Sequence, residues 1–366
     1  MKFVSDKINQ ILKYQLITLV GIFVILEGFL GYNLYKIINQ QNEYEKNNTT
    51  EKSIVETEEK ITIRRIDGVL TDEANQNLWP VAVMVDNHFD AWPNYGLGEA
   101  SIVYEVLVEG NFTRFLALYT PKNELKETII KIGPVRSVRP YFLELAKEYD
   151  ALLAHSGGSP EALQKIEELA INNLEEIAWW GPDYFWRVYS RLSPHNLFTS
   201  SNKLAQAIID WELGEDIPNY RAWKFNENFE TTNIITADNI KISFSENNDY
   251  DASYKYNTST ATYLRWQGEE KHLDALINQQ IEVNNVIVQF IPEKKILDDE
   301  GRIELDLIGS GKALIFRNGQ QIQGSWKKRD VETRTVFYDT NNNEIEFKPG
   351  NIWIEVVPIG KEVEVE

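Results

Sequence analysis

Three arginines and three histidines carry most of the chemistry this sequence can support. Arg136 and Arg139 stand three apart between Gly133-Pro134 and Pro140, and Arg114 precedes the apolar run 115–119. Arginine grips a carboxylate or phosphate through two parallel N–H···O bonds, in a geometry lysine does not reproduce. The trio therefore suggests a clamp for an anionic ligand. The competing reading is an internal network with Asp86, Glu105 and Glu109, because a buried guanidinium needs acidic partners. Further along comes His155-Ser156-Gly157-Gly158-Ser159-Pro160. Ser159 suits an N-cap and Pro160 a first helical position. A strand, a glycine turn and a helix start together converge backbone N–H groups on an anion. The ligand-binding set expected from these patterns is Arg114, Arg136, Arg139, Ser156, Gly157, Gly158, Ser159 and Asn196.

His88, His155 and His195 are three of four histidines, with His272 the fourth. Histidine is the commonest acid–base group near neutrality. A hydrolase would use His155 or His195 with Asp86 or Glu105, and these four residues are the catalytic candidates. A three-histidine site with Asp86 as a further ligand is a weaker reading, since no HxxxH-type spacing supports it. No metal or cofactor is assigned. Ser156 lacks the GxSxG elbow of a serine nucleophile, so a tight turn explains its neighbourhood better. Asp86 with Glu105 or Glu109 would be a carboxylate pair for glycosidic chemistry. The aromatic stretch 179–186 suits stacking on sugar rings, or simple packing.

The elements that must position these residues are legible from apolar runs. Residues 81–85, 102–108, 115–119, 129–132 and 151–154 read as strands, and 141–149 and 160–170 as helices. Ser201 or Asn202 caps a further helix that ends near residue 211. From 234 to 357 the pattern changes to short strands at 240–244, 261–266, 286–290, 313–317, 335–338 and 352–357, with an Asn318-Gly319 hairpin turn. The fold class expected is a mixed α+β or α/β first domain followed by a β-rich second domain, after one transmembrane helix. The boundaries are 1–15 basic N-terminus, 16–38 membrane anchor, 39–66 polar stalk, 67–225 first domain and 234–360 second domain. An acidic tail closes the chain at 362–366.

A net charge of -19 argues against nucleic acid as a partner, because phosphate neutralisation needs a basic face. The absence of cysteine removes disulfides, thiolate metal sites and lipid attachment through a cysteine. Residues 16–38 are long and apolar enough to span a bilayer, interrupted by Glu27, and Lys2, Lys7 and Lys13 precede them. Positive-inside logic leaves the N-terminus in the cytoplasm and the bulk of the chain outside, in a single-pass membrane protein.

Several stretches resemble one family. VAVMVDNH, GLGEASIVYEVLVEGNFTRFLALY, KIGPVRSVRPYFLELAKEYDALLAHSGGSPEAL and SRLSPHNLFTS, with VIVQFIP, LDLIGSGKALIFRNG, GSWKKRD, TRTVFYD and NIWIEVVP in the second half, resemble the YerB-like family of bacterial lipoproteins. The resemblance covers residues 67–357 and implies a two-part domain of unknown function located in the cell envelope. It names no activity. Two departures stand out: there is no cysteine to carry lipid, and Trp92 occupies a position where the family usually carries arginine.

Taken together, the sequence suggests a membrane-anchored extracytoplasmic envelope protein that binds an anionic or glycan-type ligand or a protein partner. The alternatives are an envelope hydrolase and a non-catalytic scaffold. The anchor has a direct test: protease added to intact cells should remove the globular part. Protection of that part, or a mature N-terminus near residue 39, would disprove the retained anchor.

Overall fold

A computed structural model describes residues 35–36, 60–122, 128–229, 235–292 and 295–366. The expected anchor, and all but the end of the expected stalk, lie outside them apart from residues 35–36. Among the described residues no helix is long and apolar enough to cross a membrane. Residues 61–366 form one compact unit. It begins inside the expected stalk, where Ile61–Ile63 pairs with Leu70–Asp72 and Ile66 is buried.

The fold is mostly β with few helices. Its principal strands are β1 (Val81–Asp86), β2 (Ile102–Leu107), β3 (Thr113–Tyr119), β4 (Leu152–His155), β5 (Asn173–Glu175), β6 (Asn239–Ile242), β7 (Ala252–Asn257), β8 (Thr262–Gln267), β9 (Asn285–Ile291), β10 (Gly309–Arg317), β11 (Gln320–Lys328) and β12 (Ile352–Pro358). The main helices are α1 (Pro140–Lys147), α2 (Pro160–Glu168) and α3 (Ser201–Asp210). One large sheet runs β11-β10-β9-β12-β2-β3-β1-β4-β5, with Ile235–Thr236 beyond β11. β12 is parallel to both β9 and β2, so the two halves of the sequence are joined in a single sheet. β1, β2, β3 and β12 are buried at every position, which is why they read as unbroken apolar runs. A smaller sheet holds β8, β7 and β6, ending on Val363–Val365.

Several expectations need correction. Residues 129–132 form no strand; only an isolated bridge joins Ile132 to Thr199. α3 is preceded by Ser200 at the cap position, without a side-chain cap bond. β7 was not foreseen: Ala252, Tyr254 and Tyr256 alternate, but serine, lysine and asparagine dilute the apolar signal. The acidic tail is not free. Its valines alternate with glutamates, and Val363–Val365 pairs with β6.

Strand alternation decides how the layers are held. Neighbouring residues on β2 face opposite ways. Tyr104 points to the helical side, where its hydroxyl donates to Glu148 Oε1 at 2.7 Å. Glu105 points to the smaller sheet and pairs with Arg265 of β8, both fully buried. On the helical side Glu148 also receives Lys328 Nζ at 2.7 Å and the Thr335 hydroxyl at 2.7 Å. Arg334 stacks between Tyr149 and Trp223, 3.8 Å from each ring centre.

Burial alone would raise the Glu148 pKa, yet Lys328 and Arg334 hold it below 4.5. A depressed carboxylate contributes stability above its unfolded pKa and loses it as pH falls through the folded value. Lys328→Met should therefore cost about 3–5 kcal/mol near neutral pH by stranding a buried carboxylate. The gap in melting temperature from wild type should narrow as pH falls, because Glu148 takes up a proton first in the variant, where burial is less opposed, and only at lower pH in the wild type. An equal gap at pH 7 and in acid would show that the penalty is not electrostatic.

Candidate functional site

The chain from Ile132 to Arg139 builds the site because it is stitched in on both sides. Asp86 N–H donates to Pro134 O and Arg136 N–H to Met84 O, which fixes the segment along the end of β1. On its other side Val135 N–H donates to Leu197 O, and Ile132 and Thr199 exchange backbone bonds. Val135 and Val138 are buried in the core, which turns Arg136 and Arg139 outward. Val138 then bridges to Gly158, tying the segment to the turn before α2.

The result is a cavity of about 540 Å³. Its walls include Asp86, His88, Glu109, Arg114, Arg136, Arg139, Gly158 and Ser159, and Glu300 and Arg302 close it from the second half of the chain. Four arginines thus face three carboxylates in a protein whose overall balance is -19.

The arginines are not equivalent. Arg139 makes a forked ion pair with Glu109, Nη2 to Oε2 at 3.1 Å, and donates through Nη1 to Val138 O. Burial works to raise the Glu109 pKa, but Arg139 holds it below the ordinary value. Arg136 Nε lies 3.2 Å from Asp86 Oδ2, an ion pair without hydrogen-bond alignment. Arg302 is held by Asp298 and Glu300. Arg114 sits directly across from Asp86 in the β1–β3 ladder, yet no carboxylate of the described residues lies within 4.0 Å of it. Among the described residues its Nη1 donates to Ser137 O at 2.7 Å, and its Nε is buried without a partner. Burial, with the charge of Arg139, pushes its pKa down to about 10, against the pull of Asp86.

Asp86 is the polar hub. It is 3% exposed, accepts the His88 N–H at 3.1 Å through Oδ1, and meets His195 Nδ1 at 2.7 Å through Oδ2. Asn94 donates to its backbone oxygen. The His88 and His195 rings stack with centres 4.9 Å apart. His88 Nδ1 accepts the Asp90 N–H at 3.2 Å. One ligand atom each from His88, Asp90 and His195 lies within 4.8 Å of the others, a group that could hold a metal ion.

Other candidates fall elsewhere. Glu105 is in the inter-sheet interior, bonded to Arg265 and Thr113, so it is not a catalytic partner for either histidine. His155 is fully buried, with Nδ1 on Gly157 O and Nε2 on Asn173 Oδ1, and takes no part in an acid–base pair or a three-histidine site. Ser156 donates to Glu176 and lies outside the cavity lining, as does Gly157, whose positive φ serves the turn. Asn196 is outside too, accepting from Arg187 and donating to Val188 O. The helix start is less open than expected: Ser156 N–H is spent on Arg136 O and Ser159 N–H on Val138 O. The aromatic stretch mostly packs, with Trp180 and Tyr184 against Trp211 and only Trp179 largely exposed. Trp92 serves the interior by donating to Asn87 Oδ1 at 2.7 Å. Asp90, Glu300 and Arg302 were missed, since nothing in their local sequence sets them apart from ordinary exposed loop charges.

The chain as a whole is similar to known proteins. Residues 67–212 match the N-terminal domain, and residues 240–354 the C-terminal domain, of a protein family of unknown function, DUF3048. A Bacillus subtilis (strain 168) protein described as "Putative lipoprotein YerB" is 31% identical over 315 residues, covering 83% of this chain and 84% of its own. The crystal structure of the YerB protein from Bacillus subtilis superposes with a TM-score of 0.71 at 28% identity, covering 83% of this chain and 99% of that one. With both parts matched in order and the relative aligned across them, the chain belongs to the YerB-like DUF3048 family.

Proposed function

We propose that this protein works on the outer side of the cell membrane, held there by residues 16–38, and binds a small anion bearing phosphate or carboxylate in the arginine-lined cavity. The name of the Bacillus relative supports the envelope location. The observation that carries the ligand is Arg114. Among the described residues it is a buried guanidinium with an unpartnered Nε and no carboxylate within 4.0 Å, and it lines the cavity. A charge taken out of water without a partner is costly, so an anion in the cavity would relieve it. Arg136 and Arg139 already hold acidic partners, so they shape the cavity more than they offer free charge.

A second reading, a hydrolase with His195 as general base, is favoured by one contact. Asp86 accepts from His195 Nδ1, which holds the ring in the tautomer with a free Nε2 lone pair. This reading drops His155 and Glu105 from the earlier candidate set.

The anion reading is tested by calorimetric titration of the full-length chain with inorganic phosphate and with citrate. At least one should bind, and Arg114→Gln should weaken it by about thirtyfold or more, the loss expected for one desolvated charged contact of about 2 kcal/mol. The melting temperature should change little, because the variant removes an unpaired buried charge. A wild-type protein that binds neither probe, or a variant that binds as well as wild type, would refute the proposal.

A further inference from the structure

The strongest chemistry outside the arginine cluster is the histidine pair beside it. We propose that His88, Asp90 and His195 bind one first-row divalent metal ion of the zinc class, with Asp86 behind them as the residue that orients His195. This does not depend on the cavity taking an anion.

The argument starts from His195. Its Nδ1 meets a carboxylate that is 3% exposed and is itself held by the His88 N–H and the Arg136 guanidinium. Nδ1 therefore carries the proton, and Nε2 is left with the lone pair a metal needs. A buried carboxylate on the far nitrogen is the usual support of a metal-bound imidazole, fixing its ring and raising its basicity. The second donor pair lies close to coordination spacing before any movement. His88 Nδ1 and Asp90 Oδ2 are 3.5 Å apart. Two ligands at about 2.1 Å from a tetrahedral ion stand about 3.4 Å from each other. Donor atoms of all three residues fall within 4.8 Å of one another.

Capture requires one movement. The two imidazoles are stacked, 15° between planes and 4.9 Å between centres, and His88 Nδ1 is occupied by the Asp90 N–H. The His88 ring must turn out of the stack and give up its bond from the Asp90 N–H. Its side chain is 24% exposed and that of Asp90 59%, so both have room to do so. Arg136 would repel a cation, but its charge is directed at Asp86, which stands between it and His195.

Two imidazoles and one carboxylate suit Zn(II), Fe(II) or Co(II) better than calcium, which takes oxygen, or Cu(I), which takes sulfur. Three protein ligands leave a position for water or for a ligand oxygen. His88 lines the cavity, so a ligand held there would have access to that position.

The test is titration of the untagged full-length chain, stripped with chelator, with Co(II) and Zn(II), read by visible absorption and by metal content. One ion per chain should bind, with Co(II) giving the ligand-field bands of a nitrogen–oxygen site. Asp90→Asn, at a residue whose side chain is largely exposed, should weaken binding tenfold or more, and His195→Gln should do the same. Asp86→Asn should weaken it by about ten- to a hundredfold through His195. Absence of stoichiometric binding in the wild type would overturn the proposal. So would binding that survives both Asp90→Asn and His195→Gln unchanged.

Discussion

The structure depends on one buried ion pair, Glu105 with Arg265. Both side chains are fully buried, and they come from opposite halves of the sequence. A guanidinium in a dry interior must have its donors answered. Arg265 finds Glu105 on β2, Tyr254 on β7, Gln267 on its own strand and His272 just beyond, and it stacks 4.6 Å over Trp353 of β12. Those partners can be satisfied together only when the smaller sheet lies over the centre of the larger one. The protonation of the cluster follows from the same constraint. Burial raises the Glu355 carboxyl well above its ordinary value, with Glu105 beside it adding to the effect. Burial and the Arg265 charge push His272 well below its own.

The same strand carries the second tie. Tyr104, one residue before Glu105, faces the helices and meets Glu148, which also binds Lys328 from β11. Because β2 and β12 are neighbours at the centre of one sheet, a cut between residues 222 and 233 would leave both with an unpaired edge in each fragment. Two parts in sequence are thus interlocked in space, and a loop of the second part can close a cavity built by the first.

That cavity lies where interlocking leaves charge unevenly paired. Among the described residues three of its arginines pair with carboxylates, and the fourth, Arg114, does not. Fully compensated arginines are what structural networks look like. An arginine left short of partners beside a cavity is the observation on which the proposed anion site rests. Asp86 links the two kinds of chemistry, since one carboxylate serves both Arg136 and His195. The YerB crystal structure from Bacillus subtilis shows that the fold recurs at 28% identity.

Much of this was readable in the sequence, for local reasons. The strands β1, β2 and β3 announce themselves as apolar runs, and α2 by its serine cap and following proline, because periodicity and capping act between near neighbours. That Arg114, Arg136 and Arg139, which all line one cavity, would cluster was likewise suggested by residue type and flanking turns. Their inequality was not. Whether an arginine is paired depends on which carboxylate the fold brings opposite it, and Glu109 went to Arg139 while Glu105 was taken by Arg265, 160 positions away in sequence. The same holds for the histidines. His155 and His195 look alike in sequence, but a strand end buries one between Gly157 and Asn173, while a backbone ladder to residues 132–135 carries the other to Asp86. Sequence determined which residues were capable of chemistry; only long-range packing decided which of them meet, since charge pairing and burial are properties of neighbours in space.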